Sequence, residues 1–342
     1  MNERETFEVK VLNPLENFRE ETQLLEYRVD PLTGLVSIIQ RSGYFKELFK
    51  SEPEALAKLS EETKVKCPFC PPRVEEVTPK FPSSLLPEGR LKVGSCLAFP
   101  NLFAHTDFNA VVVLGEEHFR PPGKLDSKLL FEGLQAALEV LRKVGVEGLG
   151  VKFGSIVMNY LPPAGSSIFH PHMQVLGSTL RDFNLQRILV EASKAYFERH
   201  GENFWRKLIE EEAGGPRFLF REGKTWWFTS FAPLRSFEVQ GVVEDASNLL
   251  SLGEEEISSL AAGISKILRC YSLEGIFCFN LAIYSAPLNA DFPFNVNVRV
   301  SARFGLNPLQ VNDAWSLPYL LLEGFSLTPP EELASTFRRH LG

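Results

Sequence analysis

The chain has 342 residues, of which 44% are hydrophobic and 23% are charged, enough apolar sequence for one large unit or two domains. Its formal net charge is −7 and its basic residues are scattered, which excludes a basic face for nucleic acid but leaves room for free nucleotides as ligands. No apolar run reaches the ~18 residues of a membrane span, and the first residues are charged, so we expect a cytoplasmic protein without membrane contact.

The N-terminal half predicts a mixture of helices and strands. Charged sequence over the first ~26 residues favours helix, and residues 30–34 form a turn before an apolar strand. The further predicted elements are a helix in YFKELFKSEPEALAKLSEET, strands in SCLAFPN and NAVVVLGEEH, a helix in DSKLLFEGLQAALEVLRKV, and strands in GVKFGSIVMNY and SSIFHPHMQVLGS.

The C-terminal half repeats this pattern. It contains the helix-rich stretch LQRILVEASKAYFERHGENFWRKLIEEE, strands in KTWWFTSFAPL and FEVQGVVED, a helix in SLGEEEISSLAAGISKILRCY, strands in GIFCFNLAIYSAPLN and FNVNVRVSARF, and a helix from Pro329. Two strand-strand-helix-strand-strand blocks indicate an α+β fold of tandem duplicated units, with antiparallel sheets and flanking helices. We place the domains at residues 1–195 and 196–342.

Two of the six histidines, His170 and His172, stand close together in SSIFHPHMQVLGS. In a strand, residues two apart point to the same face, so these histidines would form one row with Gln174. Pro171 cannot donate a ladder hydrogen bond, which favours an edge or a rim of the sheet. Two histidines and a glutamine on one face indicate a functional site more than a buried core histidine.

The five cysteines are an odd number for a cytosolic chain, which argues against a disulfide framework. Cys67 and Cys70 form a C-x-x-C motif, while the other three stand singly in apolar sequence. Two thiolates and two histidines would complete a tetrahedral zinc site, whereas the C-x-x-C motif alone also fits a redox pair. The candidate histidines are His105, His118, His170 and His172.

Several segments together resemble the galactose-1-phosphate uridylyltransferases, a branch of the histidine-triad superfamily. YRVDPLTGLVSII, CPFC, AFPNLFA and VVVLGEEHF are similar to segments of that family, and the resemblance covers nearly the whole chain. It implies two histidine-triad-like units. MNYLPPAGSSIFHPHMQ matches the family pattern N-x-x-x-x-x-G-x-S-x-x-H-P-H-x-Q at Asn159, Gly165, Ser167, His170, His172 and Gln174.

The resemblance implies one structural zinc ion in the N-terminal domain. Its ligands would be Cys67, Cys70, His118 and His170, and His118 is preferred over His105 because VVVLGEEHF matches the segment that ends in a zinc-binding histidine.

The resemblance also implies a catalytic set. His172 would be the nucleophile that takes a nucleoside monophosphate, with Gln174 donating to a nonbridging phosphate oxygen. The implied catalytic residues are His172, Gln174 and Ser167, and the implied substrate-binding residues are Asn101, Asn159, Gly165, Ser166, Phe99 and Phe103.

The implied reaction moves a nucleoside monophosphate, of the UMP type, between a nucleotide sugar and a sugar 1-phosphate, as in galactose metabolism. The implied partners are these small molecules and a second copy in a homodimer, since known relatives are commonly dimers.

The C-terminal half departs from the family pattern. Tyr284 stands where the family has a histidine, and the strand FNVNVRVSARF has none, so a second metal site is not expected. The segment LLLEGFSLTPPEE lacks the glutamine of the family's hexose-phosphate segment. Two alternatives therefore remain: an ADP-sugar or dinucleoside polyphosphate phosphorylase, and a nucleotide-sugar-binding protein without turnover. Phosphate clamps at Arg28, Arg41, Arg299 and Arg303 compete with ordinary salt bridges.

Overall fold

A ten-stranded sheet runs through both halves of the chain in the computed structural model, which describes residues 3–41, 46–306 and 311–342. Its strand order is β4-β5-β6-β8-β7-β12-β13-β11-β10-β9, and all of its neighbouring strands are antiparallel. The strands are β1 (Arg4–Asn13), β2 (Arg19–Val29), β3 (Val36–Gln40), β4 (Leu91–Val93), β5 (Cys96–Pro100), β6 (Phe108–Val113), β7 (Phe153–Tyr160), β8 (His172–Ser178), β9 (Phe218–Glu222), β10 (Thr225–Thr229), β11 (Val239–Val243), β12 (Phe279–Tyr284), β13 (Asn297–Ala302) and β14 (Gly324–Ser326).

Helices flank this sheet on both sides. The α-helices are α1 (Pro53–Lys64), α2 (Arg73–Val77), α3 (Ser127–Val140), α4 (Asn184–His200), α5 (Phe204–Glu212), α6 (Glu254–Leu273), α7 (Ser316–Leu320) and α8 (Pro330–Leu341), and a π-helix (Leu141–Gly148) continues α3. Short 3-10 helices lie at Pro14–Glu16, Glu47–Phe49, Pro122–Lys124, Pro162–Ala164 and Leu249–Ser251.

The two halves meet where β7 pairs with β12. Strands are arranged in an equivalent order on either side of this junction. In the N-terminal half β8 lies between β6 and β7, and in the C-terminal half β13 lies between β11 and β12. His172 lies opposite Val113 of β6, and in the same way Asn297 lies opposite Val242 of β11. The α+β fold with a tandem duplication, expected from the sequence, is therefore confirmed. The boundary predicted at residue 195 falls inside α4.

The sheet separates two apolar layers. Met173 and Val175 of β8 point into a large core shared with α3 and α6. His172 and Gln174 therefore point to the opposite face, where a smaller apolar cluster contains Cys67, Phe69, Val74, Phe99, Val111 and Val113. This alternation places the candidate site on the face away from α3 and α6.

The first residues correct one expectation from the sequence. Residues 4–29 form the antiparallel strands β1 and β2 of a second sheet, of order β1-β2-β3-β14, and not the helix that charged sequence suggested. The reason is the two-residue period of Phe7, Val9 and Val11, which a helix would scatter around its surface.

Pro171 does not lie on an edge strand, in contrast to one expectation from the sequence. Its residue precedes β8, which lies between β6 and β7 in the middle of the sheet. Because proline lacks an N–H, the strand begins one residue later, and the carbonyl of Pro171 accepts a hydrogen bond from the Leu114 backbone N–H at 2.9 Å.

Candidate active site and metal centre

Four side chains from three loops converge next to β8. Cys67 and Cys70 follow α1, His118 follows β6, and His170 precedes β8. The Sγ atoms of the cysteines and the ring nitrogens of the histidines all lie within 4.8 Å of one another. The Cys70 Sγ atom is 3.3 Å from Nδ1 of His118 and 3.5 Å from Nδ1 of His170. The fold therefore brings together a Cys₂His₂ cluster that could bind a metal.

Outer hydrogen bonds orient both histidines of the Cys₂His₂ cluster. His170 Nε2 lies 3.0 Å from the backbone carbonyl of Gly115, so it carries the proton. His118 Nε2 lies 3.0 Å from Thr63 Oγ1, and that hydroxyl donates its own proton to the Leu59 carbonyl at 2.7 Å. Both Nδ1 atoms are then unprotonated and point at the thiols, which is the tautomer that metal ligation requires.

Burial disfavours the charged forms of these cysteine and histidine side chains when no metal is bound. Burial, followed by the neighbouring Cys67, raises the pKa of Cys70 to about 12, and burial lowers the pKa of His170 to about 4. Burial also lowers the pKa of His118. A divalent cation stabilises thiolates and neutral imidazoles in such surroundings, so the donor set fits a metal ion.

His172 is the first residue of β8 and is only 7% exposed. Its Nδ1 lies 2.8 Å from the backbone carbonyl of His170, so Nδ1 carries the proton and Nε2 holds the free lone pair. Burial lowers the pKa of His172, against the raising effect of that carbonyl, which favours the neutral ring. Within the described part of the chain no residue hydrogen-bonds Nε2. The Phe69 ring lies edge-on to the imidazole at 5.2 Å.

The loop between β7 and β8 leads into His172 and contains a glycine and two serines. Gly165 has a φ of +89°, and a Cβ built there would meet no atom within 4 Å, so the loop is open on that side. Ser167 is exposed, while the buried Ser166 donates its hydroxyl to the Ile168 carbonyl at 2.6 Å. Gln174 is half-buried, two residues after His172 on the same face.

The C-terminal half reaches this loop through Asn280 of β12. Its Nδ2 donates to Asn159 Oδ1 at 2.7 Å and to the Ala164 carbonyl at 2.9 Å. Its Oδ1 accepts from Arg303 Nη1 at 2.7 Å, and Arg303 is held by Asp313 at 2.6 Å. Asn280 thus holds both the amide of Asn159 and the loop between β7 and β8, just before Gly165.

The residues of the AFPNLFA segment are divided between surface and core. Asn101 donates to Asn109 Oδ1 at 2.9 Å and accepts from the Phe103 backbone N–H at 3.1 Å, so it mainly shapes its turn. Phe103 is 74% exposed, whereas Phe99 is buried and packs edge-on against Phe69 at 5.6 Å. Of the two phenylalanines, only Phe103 presents an open ring. His105 is exposed and lies outside the Cys₂His₂ cluster.

The position equivalent to His172 in the C-terminal half is occupied by Asn297. Its Nδ2 donates to the Asn295 carbonyl at 3.0 Å, which repeats the contact of His172 with His170. Arg299 takes the position of Gln174 and pairs with Glu238 at 3.1 Å. The duplicated unit keeps the backbone arrangement but has no histidine at this position.

The four arginines considered as phosphate clamps all form salt bridges. Arg28 pairs with Glu331 at 2.9 Å and Arg41 with Glu332 at 2.9 Å. Arg299 pairs with Glu238, and Arg303 with Asp313. Sequence reasoning missed Thr63, Asn280 and Asp313, because their roles depend on contacts over 55, 121 and 10 residues respectively.

Comparison with known proteins gives a relative and a fold. No protein-family model matches the chain. An uncharacterised protein of Archaeoglobus fulgidus is 33% identical over 297 residues, 86% of each chain. An ADP-glucose phosphorylase of Arabidopsis thaliana with bound ADP-glucose superposes with a TM-score of 0.71 over 92% of this chain and 98% of its own, at 16% identity. A uridylyltransferase superposes with a TM-score of 0.67 over 92% and 98%, at 20% identity.

The chain belongs to one family with the archaeal protein and has the galactose-1-phosphate uridylyltransferase-like (GalT-like) fold. The expected resemblance is thereby confirmed. The GalT-like fold explains why the candidate nucleophile and the Cys₂His₂ cluster share one face of a duplicated sheet. In the described segments no helix has the length and apolar character needed to cross a membrane.

Proposed function

We propose that the chain is a nucleotidyltransferase that moves a nucleoside monophosphate from a nucleotide sugar to a phosphate-bearing acceptor through His172. One observation carries this proposal. Nδ1 of His172 is held by the His170 carbonyl at 2.8 Å, which leaves the lone pair on Nε2 without a partner among the described residues. A buried neutral imidazole in this tautomer is a nucleophile that needs no separate base.

In the first step, the Nε2 lone pair attacks the α-phosphorus of the nucleotide sugar. The bond from phosphorus to the bridging oxygen breaks, and the sugar phosphate leaves with the electron pair. Positive charge that develops on the ring is shared with the His170 carbonyl through Nδ1–H. In the second step, an acceptor phosphate oxygen attacks the same phosphorus and Nε2 regains its lone pair.

The loop and Gln174 would stabilise the phosphate in both steps. Gln174 follows His172 on one face and can donate to a nonbridging oxygen. Ser167 is exposed on the loop, and the open side of Gly165 admits a phosphate near the backbone. Asn159 offers its amide N–H groups, because Asn280 occupies its oxygen. Asn101 and the exposed ring of Phe103 are the proposed contacts to the nucleotide.

We infer that the Cys₂His₂ cluster holds one zinc ion. Cys67, Cys70, His118 and His170 supply two sulfur and two nitrogen donors, which is a common structural zinc set. When bound, the metal would supply rigidity to the segment that precedes His172 and no chemistry at phosphorus. We expect about one zinc per chain by elemental analysis, since the site takes a single ion. Cys67→Ser should lower that content.

The proposed donor is a UMP-type nucleotide sugar with a sugar 1-phosphate acceptor. A phosphorylase that splits an ADP-sugar with inorganic phosphate is the second candidate. The C-terminal half favours this second reaction in one respect, since the segment LLLEGFSLTPPEE lacks the glutamine of the family's hexose-phosphate segment. The ADP-glucose bound by one structural neighbour is consistent with it.

Trapping the covalent adduct tests the proposal directly. The protein is incubated with a mixture of nucleotide sugars and its intact mass is measured, and we expect an increase equal to one nucleoside monophosphate. His172→Gly should remove the increase, because the attacking nitrogen is lost. An adduct that persists in His172→Gly would refute the assignment. The added mass also names the base.

A substrate panel separates the two reactions. UDP-glucose with galactose 1-phosphate is compared with ADP-glucose and diadenosine tetraphosphate, each with inorganic phosphate. Tight nucleotide binding with neither adduct nor turnover in any pair would favour a binding protein over an enzyme.

A further inference from the structure

The β1–β2 hairpin carries several exposed apolar side chains. Phe7, Leu12, Leu15, Phe18 and Leu24 are between 48% and 88% exposed. Every residue from Arg4 to Lys10 is exposed, so both faces of this part of β1 meet solvent. A two-stranded ribbon without cover is marginally stable in water, which makes the hairpin a candidate for contact with another surface.

The outer edge of β1 is also free. β1 is the terminal strand of the four-stranded sheet, and no strand in the described part of the chain pairs with its other side. It runs for ten residues without proline, and its ladder with β2 is unbroken from Arg4 to Asn13. Long regular edges of this kind are templates for pairing with another strand.

The sequence of β1 is complementary to itself. Phe7, Val9 and Val11 share one face of the strand, while Glu8 and Lys10 share the other. An antiparallel copy of β1 centred on Val9 would place Val9 opposite Val9 and Phe7 opposite Val11. On the other face, Glu8 would lie opposite Lys10 twice. No like charges meet in this register.

We propose that β1 pairs with β1 of a second copy of this chain, antiparallel and centred on Val9. The two four-stranded sheets then form one continuous eight-stranded sheet across a two-fold axis. Pairs of opposite charges and pairs of apolar side chains directly across two strands stabilise a sheet. The two-fold axis produces the Glu8–Lys10 pair and the Phe7–Val11 pair twice each. This proposal is independent of the proposed function, because it uses no residue of the candidate active site.

The tip of the hairpin fits the same arrangement. With Val9 opposite Val9, position 15 of one copy lies beside position 3 of the other. A hollow of about 480 Å³ is found there, lined by Glu3, Arg4, Glu5, Phe7, Tyr27, Val29 and Val36. Leu15 is 88% exposed at the tip and Phe18 is 67% exposed. The apolar tip of each copy would thus lie beside the aromatic side chains of the other.

Charge reversal tests the register in the full chain. The dimer dissociation constant is measured by analytical ultracentrifugation for Glu8→Lys, Lys10→Glu and the combined variant. Each single change puts like charges opposite one another twice, so we expect weakening by about tenfold. The combined variant restores both pairs and should return to the parent value. Glu20→Lys on β2 is the matched control, because it makes the same charge change one strand away from the seam and removes only the exposed Lys10–Glu20 pair at 3.3 Å.

A crosslink tests the centre of the register. Val9→Cys should give a disulfide-linked dimer under mild oxidation, because opposed Cα atoms in antiparallel strands are about 4.5–5.5 Å apart. Thr6→Cys should not, since position 6 faces position 12. A monomeric parent chain, single reversals as tight as the parent, or crosslinking that is equal at positions 6 and 9 would each overturn the proposal.

Discussion

Thr63 shows how a single hydroxyl sets the tautomer of His118 in the Cys₂His₂ cluster. Its oxygen accepts a hydrogen bond from the His118 Nε2–H at 3.0 Å, and its hydroxyl donates to the Leu59 carbonyl at 2.7 Å, one turn earlier in α1. The hydroxyl therefore keeps His118 Nδ1 free of a proton. Cooperation between ligand and outer partner is typical of metal-binding histidines.

Replacing Thr63 should weaken metal binding without removing a ligand. Thr63→Val keeps the shape of the side chain but leaves the buried His118 N–H without an acceptor, so we expect a metal dissociation constant about 10 to 100 times higher. Competition with a chromogenic chelator measures it. Thr63→Ser retains the hydroxyl and serves as the control, with an expected affinity near that of the parent chain. Equal affinities for the parent chain and Thr63→Val would show that the hydroxyl has no such role.

The sequence can predict those site residues that stand in a compact motif, and few others. Cys67 and Cys70 form one C-x-x-C motif, and His170 and His172 flank one proline. Their spacing in the sequence is therefore enough to identify them as site candidates. Asn280 carries no local signal. Its amide reaches Asn159 only because β12 pairs with β7 across the junction of the two halves.

At the scale of elements, β12 is the strand through which the C-terminal half contacts the loop between β7 and β8. The amide nitrogen of Asn280 donates hydrogen bonds to Asn159 Oδ1 at 2.7 Å and to the Ala164 carbonyl at 2.9 Å. Its amide oxygen accepts one from Arg303. Among the described residues no hydrogen bond joins Asn280 to His172, so we propose that Asn280 acts as a positioning residue in the proposed reaction.

We expect Asn280→Ala to slow formation of the His172 adduct by about tenfold, which corresponds to the loss of one or two hydrogen bonds. Rapid-quench kinetics on the parent chain and variant measure the rate. In combination with Asn159→Ala the two effects should be less than additive, because Asn280 acts through Asn159. Additive effects would argue against that coupling.

A matched control comes from a second asparagine pair. Asn203 at the start of α5 donates to Asn295 at 2.9 Å and has no contact with the loop. Asn203→Ala removes this amide contact and the N-cap hydrogen bond from the Trp205 backbone N–H at 2.8 Å, and it should leave the rate of adduct formation unchanged. A similar slowing in both variants would indicate a general loss of stability and not a positioning effect.

Elements differ in how well sequence predicts them, for a physical reason. The helix of DSKLLFEGLQAALEVLRKV is confirmed as α3, with Asp126 accepting from the Leu129 backbone N–H at 2.9 Å, because capping and the apolar period agree. The first residues are charged on one face and apolar at every second position on the other, so composition favoured helix while the period favoured strand. Pairing with β2 decided between them.

At the scale of the whole molecule, Glu331 joins parts of the chain that are far apart in sequence. From the first turn of α8 it accepts two hydrogen bonds from Arg28 of β2, both at 2.9 Å, and one from Arg217 at 3.1 Å. Both guanidinium groups also lie over the Phe231 ring, at 5.0 and 4.9 Å. The small sheet and the C-terminal helix are therefore connected to the main sheet through one carboxylate.

This carboxylate should make the stability of the fold depend on acid pH. Burial alone would raise the pKa of Glu331, but hydrogen bonds and charge from Arg28, together with Arg217, lower it from its ordinary value of 4.5 to about 2. A lowered carboxyl pKa contributes stability that is complete above about pH 4.5 and is lost as the pH falls towards 2. The contribution is on the order of 3 kcal/mol, since one pKa unit corresponds to about 1.4 kcal/mol.

Glu331→Gln should remove that contribution and with it the pH dependence. The free energy of unfolding, measured by urea denaturation, should fall by at least about 3 kcal/mol at pH 7, because Arg28 also keeps a buried charge without its partner. The difference from the parent chain should shrink as the pH falls from about 4.5 towards 2, because over this range the unfolded parent chain takes up a proton on Glu331 that the folded chain does not. Glu332→Gln, on the same turn of α8, removes only the exposed pair with Arg41 and should cost less than about 1 kcal/mol. If the two variants were equally stable at pH 7, Glu331 would not be what connects the small sheet and α8 to the main sheet.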